Sequence, residues 1–357
     1  MELNNAQLRE ILYSFSVPEK SYQLVPLTNG LINDTFLVTT HQQPVYVLQR
    51  INTSIFKDIN GLMNNISKAL KQLQGLDYQA ITLTLTYTNH NAYYNHPQWG
   101  IWRLMSFIPD SITYNTTTHV EIAFEAGKTI SSFHYLLKDV AIDEFVITIP
   151  KFHSILHRKS QFLEALATTD QDRMASANSA IQYAKQMLPK LTSLTDTAVP
   201  LRLCHNDTKL NNILFSKADN SGLCLIDLDT LMQGFVYYDF GDAARTIVNT
   251  VPEDEKDVTK ICFRKDLFEA FVKGWASTPS FLSTTEISAL PFGVVLMPFL
   301  HGLRALTDYL EYNKYYKVSY PNQNLDRCLS LFEFSKHALN HYEYMENTVN
   351  TYLNKRC

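Results

Sequence analysis

The sequence predicts an α+β chain of two lobes, a small β-rich lobe over residues 1–108 and a larger helical lobe over residues 109–357. Three observations predict it. Residues 21–108 are a series of short runs heavy in Val, Ile, Leu, Thr and aromatics, separated by Asn, Gly, Pro and Gln. From about residue 113 the apolar spacing turns helical, and a strand-like island, "LRLCHNDTKLNNILFS" followed by "GLCLIDLDT", interrupts that half. A chain of 357 residues is also too long for one compact core.

The elements follow in order. In "MELNNAQLREILYSF" the residues Leu8, Ile11, Leu12 and Phe15 fit one face of an amphipathic helix, and the basic start and apolar core of a signal peptide are absent. Five strands are expected in "SYQLVPL", "DTFLVTT", "PVYVLQRI", "AITLTLTYT" and "IWRLMSFI". The fourth reads most clearly, because Ile81, Leu83, Leu85 and Tyr87 alternate strictly with threonines. Between the third and fourth, Ile59, Leu62, Met63, Ile66, Ala69, Leu70 and Leu73 recur at helical spacing up to Gly75, so one helix should pack on the sheet. The second half adds helices in "HVEIAFEAGKTISSFHYLLKD", "RKSQFLEALATTDQDRMASANSAIQYAKQML", "RKDLFEAFVKGWA" and a long tail after 325. The most apolar late stretch, "ALPFGVVLMPFLHGL", is interrupted by Pro291, Pro298 and His301 and falls short of the roughly 20 apolar residues of a membrane span, so it reads as a buried helix region.

Composition narrows the function classes. With 45% apolar and 18% charged residues the chain can bury a sizeable core and is too poor in charge to be disordered. A formal net charge of −4, with no long run of either sign, gives no electrostatic footprint for nucleic acid or an anionic membrane, so neither is expected as a partner. A monomer or weak oligomer is expected. Five cysteines without a CxxC pair read as free thiols in a reducing cytoplasm.

The segment "CHNDTKLNNILF" carries the most chemistry. It contains H-x-D-x-x-x-x-N, the spacing of a kinase catalytic loop, in which Asp207 meets the substrate hydroxyl and Asn212 holds a metal. A loop between two buried strands can aim both groups from one rigid turn. The second metal ligand should end the next strand, and "LCLIDLD" places Asp227 there. "YDFGD" imitates the Asp-Phe-Gly signature, but Asp239 lies one loop too late and follows no strand; Asp239 or Asp242 is expected to brace the loop, with Arg245 pairing to Asp242.

Together "HNDTKLNNILF", "LIDLDT" and "YDFGDAAR" resemble the aminoglycoside phosphotransferase and choline kinase superfamily, and more narrowly its N-acetylhexosamine 1-kinase group. "TNGLINDTF", "YVLQRIN", "WRLMSFI" and "LTDYLEYNKYY" are similar to that group's segments in the same order, so the resemblance covers most of the chain. It implies a protein-kinase-like two-lobed fold, with ATP and Mg²⁺, and phosphorylation of the anomeric hydroxyl of N-acetylglucosamine or N-acetylgalactosamine.

On the nucleotide side, the turn at Asn29 and Gly30 can bring backbone N–H groups to phosphate, and Arg50 stands where protein kinases carry the phosphate lysine. Backbone groups from Met105 through Phe107 to Ile108 would meet adenine by the resemblance, and Arg304 and Tyr315 would hydrogen-bond the sugar, with Asp308 and Tyr309 shaping the helix. Two departures stand out. The helix from Asp58 to Gly75 carries no glutamate to orient Arg50, and Asn64 stands near where an acid is expected. Leu31 takes the place of a histidine that related sugar kinases use against the sugar.

Competing signals fail. "AGKT" imitates a Walker loop, but Ile122 stands where its first glycine is required. His153 and His157 have helical spacing but lack the glutamate of a zinc motif. The same fold acting on an aminoglycoside or choline would call for an acidic pocket, whereas residues 279–357 hold seven acidic and seven basic residues and include Arg304. A pseudokinase would not be expected to keep Asp207, Asn212 and Asp227 together.

Overall fold

The protein is described by a computed structural model covering residues 3–27, 32–75, 78–193 and 198–354. Its small lobe is an antiparallel sheet of β1 (Gln23–Leu27), β2 (Asp34–Thr40), β3 (Gln43–Arg50), β4 (Leu83–Thr84), β5 (Tyr94–His96) and β6 (Gly100–Ser106). The order is β1-β2-β3-β6-β4, with β5 also pairing to β6.

The two faces of this sheet meet different partners. Helix α1 (Asn5–Leu12) begins at a capping box, in which Asn4 accepts from the N–H groups of Ala6 and Gln7 while Gln7 accepts from the Asn4 N–H. It buries Leu8, Ile11 and Leu12 with Phe15 against Val38, Leu48, Trp102 and Leu104. Helix α2 (Ile59–Gln72), capped by Asp58, packs Leu62, Met63, Ile66 and Ala69 into the core of the larger lobe instead.

Strand phase then decides which side chains see the cleft. Leu48 pairs with Leu104 and Arg50 with Trp102, so these four share the α1 face; Gln49 pairs with Arg103 and Val47 with Met105 on the other.

The segment with the clearest alternation forms the least sheet. Of residues 80–88 only Leu83 and Thr84 are strand, plus one isolated bridge from Thr86 to Phe15. The chain lies at the sheet edge and divides its backbone bonds, with Thr82 accepting from Ser106 and Leu85 accepting from Ser16. No single partner strand runs along its length, and Leu85 and Tyr87 remain exposed.

The larger lobe is built from α3 (Val120–Leu136), α4 (Ile155–Thr168), α5 (Gln171–Ser176), α6 (Asn178–Ser193), α7 (Val236–Ile247), α8 (Lys265–Trp275), α9 (Thr284–Leu310), α10 (Gln323–Asn340) and α11 (Tyr342–Leu353). Gly127 in "AGKT" sits inside α3 where a Cβ would lie 2.1 Å from the Phe271 carbonyl of α8. That glycine allows two helices to touch, and no phosphate loop forms. Helix α9 is long and apolar enough to cross a membrane, but 89% of its most apolar window is buried in protein. As the sequence suggests, it is a core helix, and Glu286 in its first turn pairs with Arg202.

Small strands hold the polar island. β7 (Ser111–Ile112), β9 (Ile213–Ser216) and β10 (Gly222–Leu225) form one sheet in the order β10-β9-β7, and β8 (Arg202–Cys204) pairs with β11 (Met232–Gly234). Cys204, Cys224, Cys262 and Cys328 are free thiols, and Cys357 lies outside the described residues.

Candidate active site

The loop between β8 and β9 is fixed from below by buried polar groups. Asn206 has the left-handed φ of 62° that asparagine tolerates better than most residues, and its Nδ2 donates to the carbonyls of Cys204 (3.1 Å), Thr230 (3.0 Å) and Met232 (3.2 Å). Asp239, at the start of α7, accepts from the N–H groups of His205 (2.8 Å) and Asn206 (2.7 Å). Asp239 is therefore the brace, as its late position in the sequence suggests. Asp242 pairs with Arg245 (2.7 Å) and lies 3.1 Å from His301 Nε2, also behind the loop. His205 joins the two strands, since its Nδ1 accepts from the Asp207 N–H (3.2 Å) and its Nε2 bonds to the Ile226 carbonyl (2.9 Å).

This frame presents Asp207 with two donors. Asn212 Nδ2 donates to Asp207 Oδ2 (2.9 Å) and to its carbonyl (2.7 Å), and Lys209 Nζ lies 2.9 Å from the same Oδ2. Burial opposes ionisation of Asp207, but Lys209 outweighs it and holds the carboxyl below its usual range. Lys209 is itself pushed up, because Asp207 and Asp227 overcome the effect of burial. Sequence reading missed Lys209, although it falls in the same turn, two residues beyond Asp207.

The donor set fits a divalent cation. Asn212 uses its amide nitrogen on Asp207, which leaves Oδ1 as its available acceptor, and its carbonyl accepts from the Ile226 N–H at 2.8 Å, which sets Asp227 alongside. Asp227 adopts a left-handed φ of 63° and its carboxylate has no hydrogen-bond donor among the described residues. The residue keeps a face open to the cleft. Although the residue is exposed at the cleft, the packed protein around its carboxyl, then the charges of Asp229 and Asp207, push it up to about 6. A carboxylate held without a donor beside two others is what a hard cation relieves.

The sheet side differs from expectation. Arg50 lies on the α1 face, where it bonds Asp34 across the strand pair (Nε–H to Oδ2, 2.8 Å) and sits 5.8 Å over the Trp102 ring. Strand phase excludes it from the cleft, and its acid is Asp34 rather than a residue of α2. The cleft-facing cation is Arg103, buried to 2% exposure, which bonds Gln49 and forms an ion pair with Asp229. Asn33 also donates to Asp229, at 2.6 Å. Neither Arg103 nor Asp229 was marked by sequence reading, although a charge inside the apolar run "IWRLMSFI" was a usable signal. Asn64 is exposed on α2, and Asn65 points inward, donating to the carbonyls of Val146 (2.8 Å) and Leu231 (2.9 Å).

Asn29, Gly30 and Leu31 lie outside the described residues. Met105 is inside β6, register-paired with Val47 and Leu83, and not at the connector. The Phe107 N–H donates to Val45 (3.1 Å), which leaves the Phe107 carbonyl and the Ile108 N–H without a bond among the described residues.

On the acceptor side α9 carries Arg304, half-buried, with its guanidinium 5.2 Å over the Phe152 ring and 5.9 Å over Tyr316. Asp308 shapes the following turn by accepting from the N–H groups of Tyr315 (2.7 Å) and Tyr316 (3.0 Å). Tyr315 is 54% exposed, while its neighbour Tyr316 faces Arg304 and Arg327. His153 bonds the Asn206 carbonyl at 2.9 Å.

Comparison with known proteins places the family and the fold. A family model described as the phosphotransferase enzyme family matches residues 23–272. Among solved structures, a microcompartment-associated aminopropanol kinase is similar with a TM-score of 0.61 at 15% identity, covering 96% of this chain and 99% of that one. A spectinomycin phosphotransferase in complex with ADP and spectinomycin gives 0.60 at 13% identity, over 95% and 98%. An amicoumacin kinase in complex with AMP-PNP and Ca²⁺ gives 0.58 at 15%, over 95% and 94%. The fold is kinase-like.

Proposed function

We infer the reaction from a premise and a geometry: this chain belongs to the phosphotransferase enzyme family, and Asp207 stands oriented by Asn212 and Lys209 opposite the undonated carboxylate of Asp227. The reaction we propose is transfer of the γ-phosphoryl group of ATP to a hydroxyl of a small molecule. At the finer level we propose an N-acetylhexosamine as acceptor, phosphorylated at its anomeric hydroxyl, on the strength of the motif order from "TNGLINDTF" to "LTDYLEYNKYY".

The observation that carries the reading is the Asp207 arrangement. Its Oδ2 is fixed by an amide and an ammonium, which keep the carboxylate ionised and aimed as a hydrogen-bond acceptor for the incoming hydroxyl. Asp207 receives that proton as the new P–O bond forms and the bond to ADP breaks. Lys209, two residues on, is positioned to face negative charge arriving with the γ-phosphoryl oxygens. Asn212 and Asp227 would hold Mg²⁺, which supplies charge neutralisation on the phosphates. Arg103 pins Asp229 beside Asp227 and ties the two lobes, and the Phe107 carbonyl and Ile108 N–H are the groups offered to adenine. Most of the acceleration in such a site is positioning and electrostatics.

The test is ATP consumption with Mg²⁺ across free hexoses, N-acetylhexosamines, choline and an aminoglycoside, followed by ³¹P NMR of the product. A sugar 1-phosphate from N-acetylglucosamine or N-acetylgalactosamine supports the finer reading. Turnover on choline or the aminoglycoside alone removes it and leaves the phosphoryl transfer standing.

A further inference from the structure

Two guanidiniums near the catalytic loop have no carboxylate partner among the described residues. Arg158, in the first turns of α4, donates from Nη2 to the Phe152 carbonyl (2.7 Å) and from Nη1 to Gln161 Oε1 (2.8 Å), and its buried Nε has no partner among the described residues. Arg304 lies over the ring of the same Phe152. By contrast Arg50, Arg103, Arg202, Arg245, Arg264 and Arg327 each pair with an acid, and Arg173 donates to the Tyr309 carbonyl. Burial, and after it the Arg304 charge, push Arg158 down to about 10.

Their location ties them to the reaction. Phe152 precedes His153, whose Nε2 bonds the Asn206 carbonyl one residue before Asp207. Arg304 follows His301 by one helical turn, and His301 reaches Asp242 behind the same loop. A planar guanidinium presents paired donors that match a carbonyl or carboxylate oxygen, and it repels an ammonium.

We propose that Arg158 and Arg304 form one subsite that binds an acyl oxygen of the acceptor, either the carbonyl of an N-acyl group or a carboxylate, and that this subsite sets acceptor specificity. The inference rests on the kinase reading above and deepens it. Arg158 is the new element, since neither motif nor spacing marks it. It discriminates by leaving donors unmet when the acceptor offers no oxygen there.

The experiment compares the full chain with Arg158→Gln and Arg158→Lys on N-acetylglucosamine, glucuronic acid, glucose and glucosamine. kcat and KM are measured at saturating ATP, and acceptor binding by calorimetry with a non-hydrolysable ATP analogue. The wild type should favour an acyl-bearing sugar over glucose and place glucosamine last, and the order of the first two identifies the oxygen as amide or carboxylate. Arg158→Gln should raise KM for the preferred acyl sugar about 10- to 100-fold relative to glucose, with a smaller change in kcat. Arg158→Lys should recover part of the loss.

Equal losses on every acceptor, unaltered discrimination, or preference for glucosamine overturns the subsite. So does failure of every acyl-bearing acceptor to bind or turn over. A thermal melt checks folding, and Arg304→Gln tests the same subsite if the Arg158 variants do not fold. Turnover of N-acetylglucosamine with unaltered discrimination removes the subsite and keeps the function; preference for glucuronic acid, with loss in Arg158→Gln, does the reverse.

Discussion

Arg50 and Arg103 stand on neighbouring strands, one register step apart, and on opposite faces of the sheet. Arg50 meets Asp34 at the surface, with side-chain exposures of 27% and 50%, whereas Arg103 and Asp229 are 2% and 4% exposed and join the two lobes. Both are arginine–aspartate ion pairs. Water separates their consequences, because it screens the first and is excluded from the second. A charge near a nucleotide cleft thus acquires its role from strand phase and burial, and residue type alone does not assign it.

The largest effect expected in the cleft is at Asp207, which sets the scale for the others. Asp207→Asn should lower turnover about 10²- to 10⁴-fold with little change in ATP affinity; steady-state kinetics with near-normal kcat would remove Asp207 from the proton path. Next comes the buried pair. Arg103→Met leaves Asp229 without its guanidinium and should destabilise the protein by about 3–5 kcal/mol in urea unfolding. Adding Asp229→Leu should recover much of that, and a double variant as unstable as the single one would show that burial of charge is not the cause.

A third test applies the burial argument to a histidine behind the catalytic loop. Burial lowers His153 to about 4, below its unfolded value of 6.5, so the neutral form is favoured in the fold. Its contribution is present above pH 6.5 and is lost as pH falls toward 4, by about 3 kcal/mol at roughly 1.4 kcal/mol per unit. Stability of the wild type should drop through that window and His153→Gln should flatten the slope; parallel slopes would assign the acid sensitivity to other groups. The smallest effect belongs to the surface pair. Arg50→Ala should cost at most about 1 kcal/mol and leave the KM for ATP within about twofold. A tenfold rise would mean that Arg50 reaches the nucleotide after all, and the contrast between the two faces would fail.

The catalytic loop was legible because its information is local. Asp207 and Asn212 are five residues apart on one turn, and Asp227 ends the next short strand, so spacing alone carries them. Lys209 lay within the same window and was passed over. Arg50 was misplaced because a run such as "PVYVLQRI" does not say which of two alternating faces points to the cleft. The clearest alternating run became an edge with two partial partners, since pairing requires a neighbour that periodicity does not reveal. The pairing of Arg103 with Asp229 was not legible for a related reason, since the two are separated by 126 positions and meet only in the fold, although a charge inside an apolar run was already a signal for Arg103. Arg158 bonds residues near it in sequence, and only its nearness to Arg304 depends on distant segments.

By itself the sequence determined the two-part α+β organisation, the helix that begins at Asp58, and the order of the polar loop residues, because capping, periodicity and turn spacing act over a few residues. Only the tertiary structure decided which arginine meets the cleft, that Asp34 neutralises Arg50, and that Arg158 and Arg304 share Phe152 without an acid between them. Those outcomes depend on which face of an element is buried and against what. Burial sets the strength of every charge it encloses, and it is fixed only when distant segments pack.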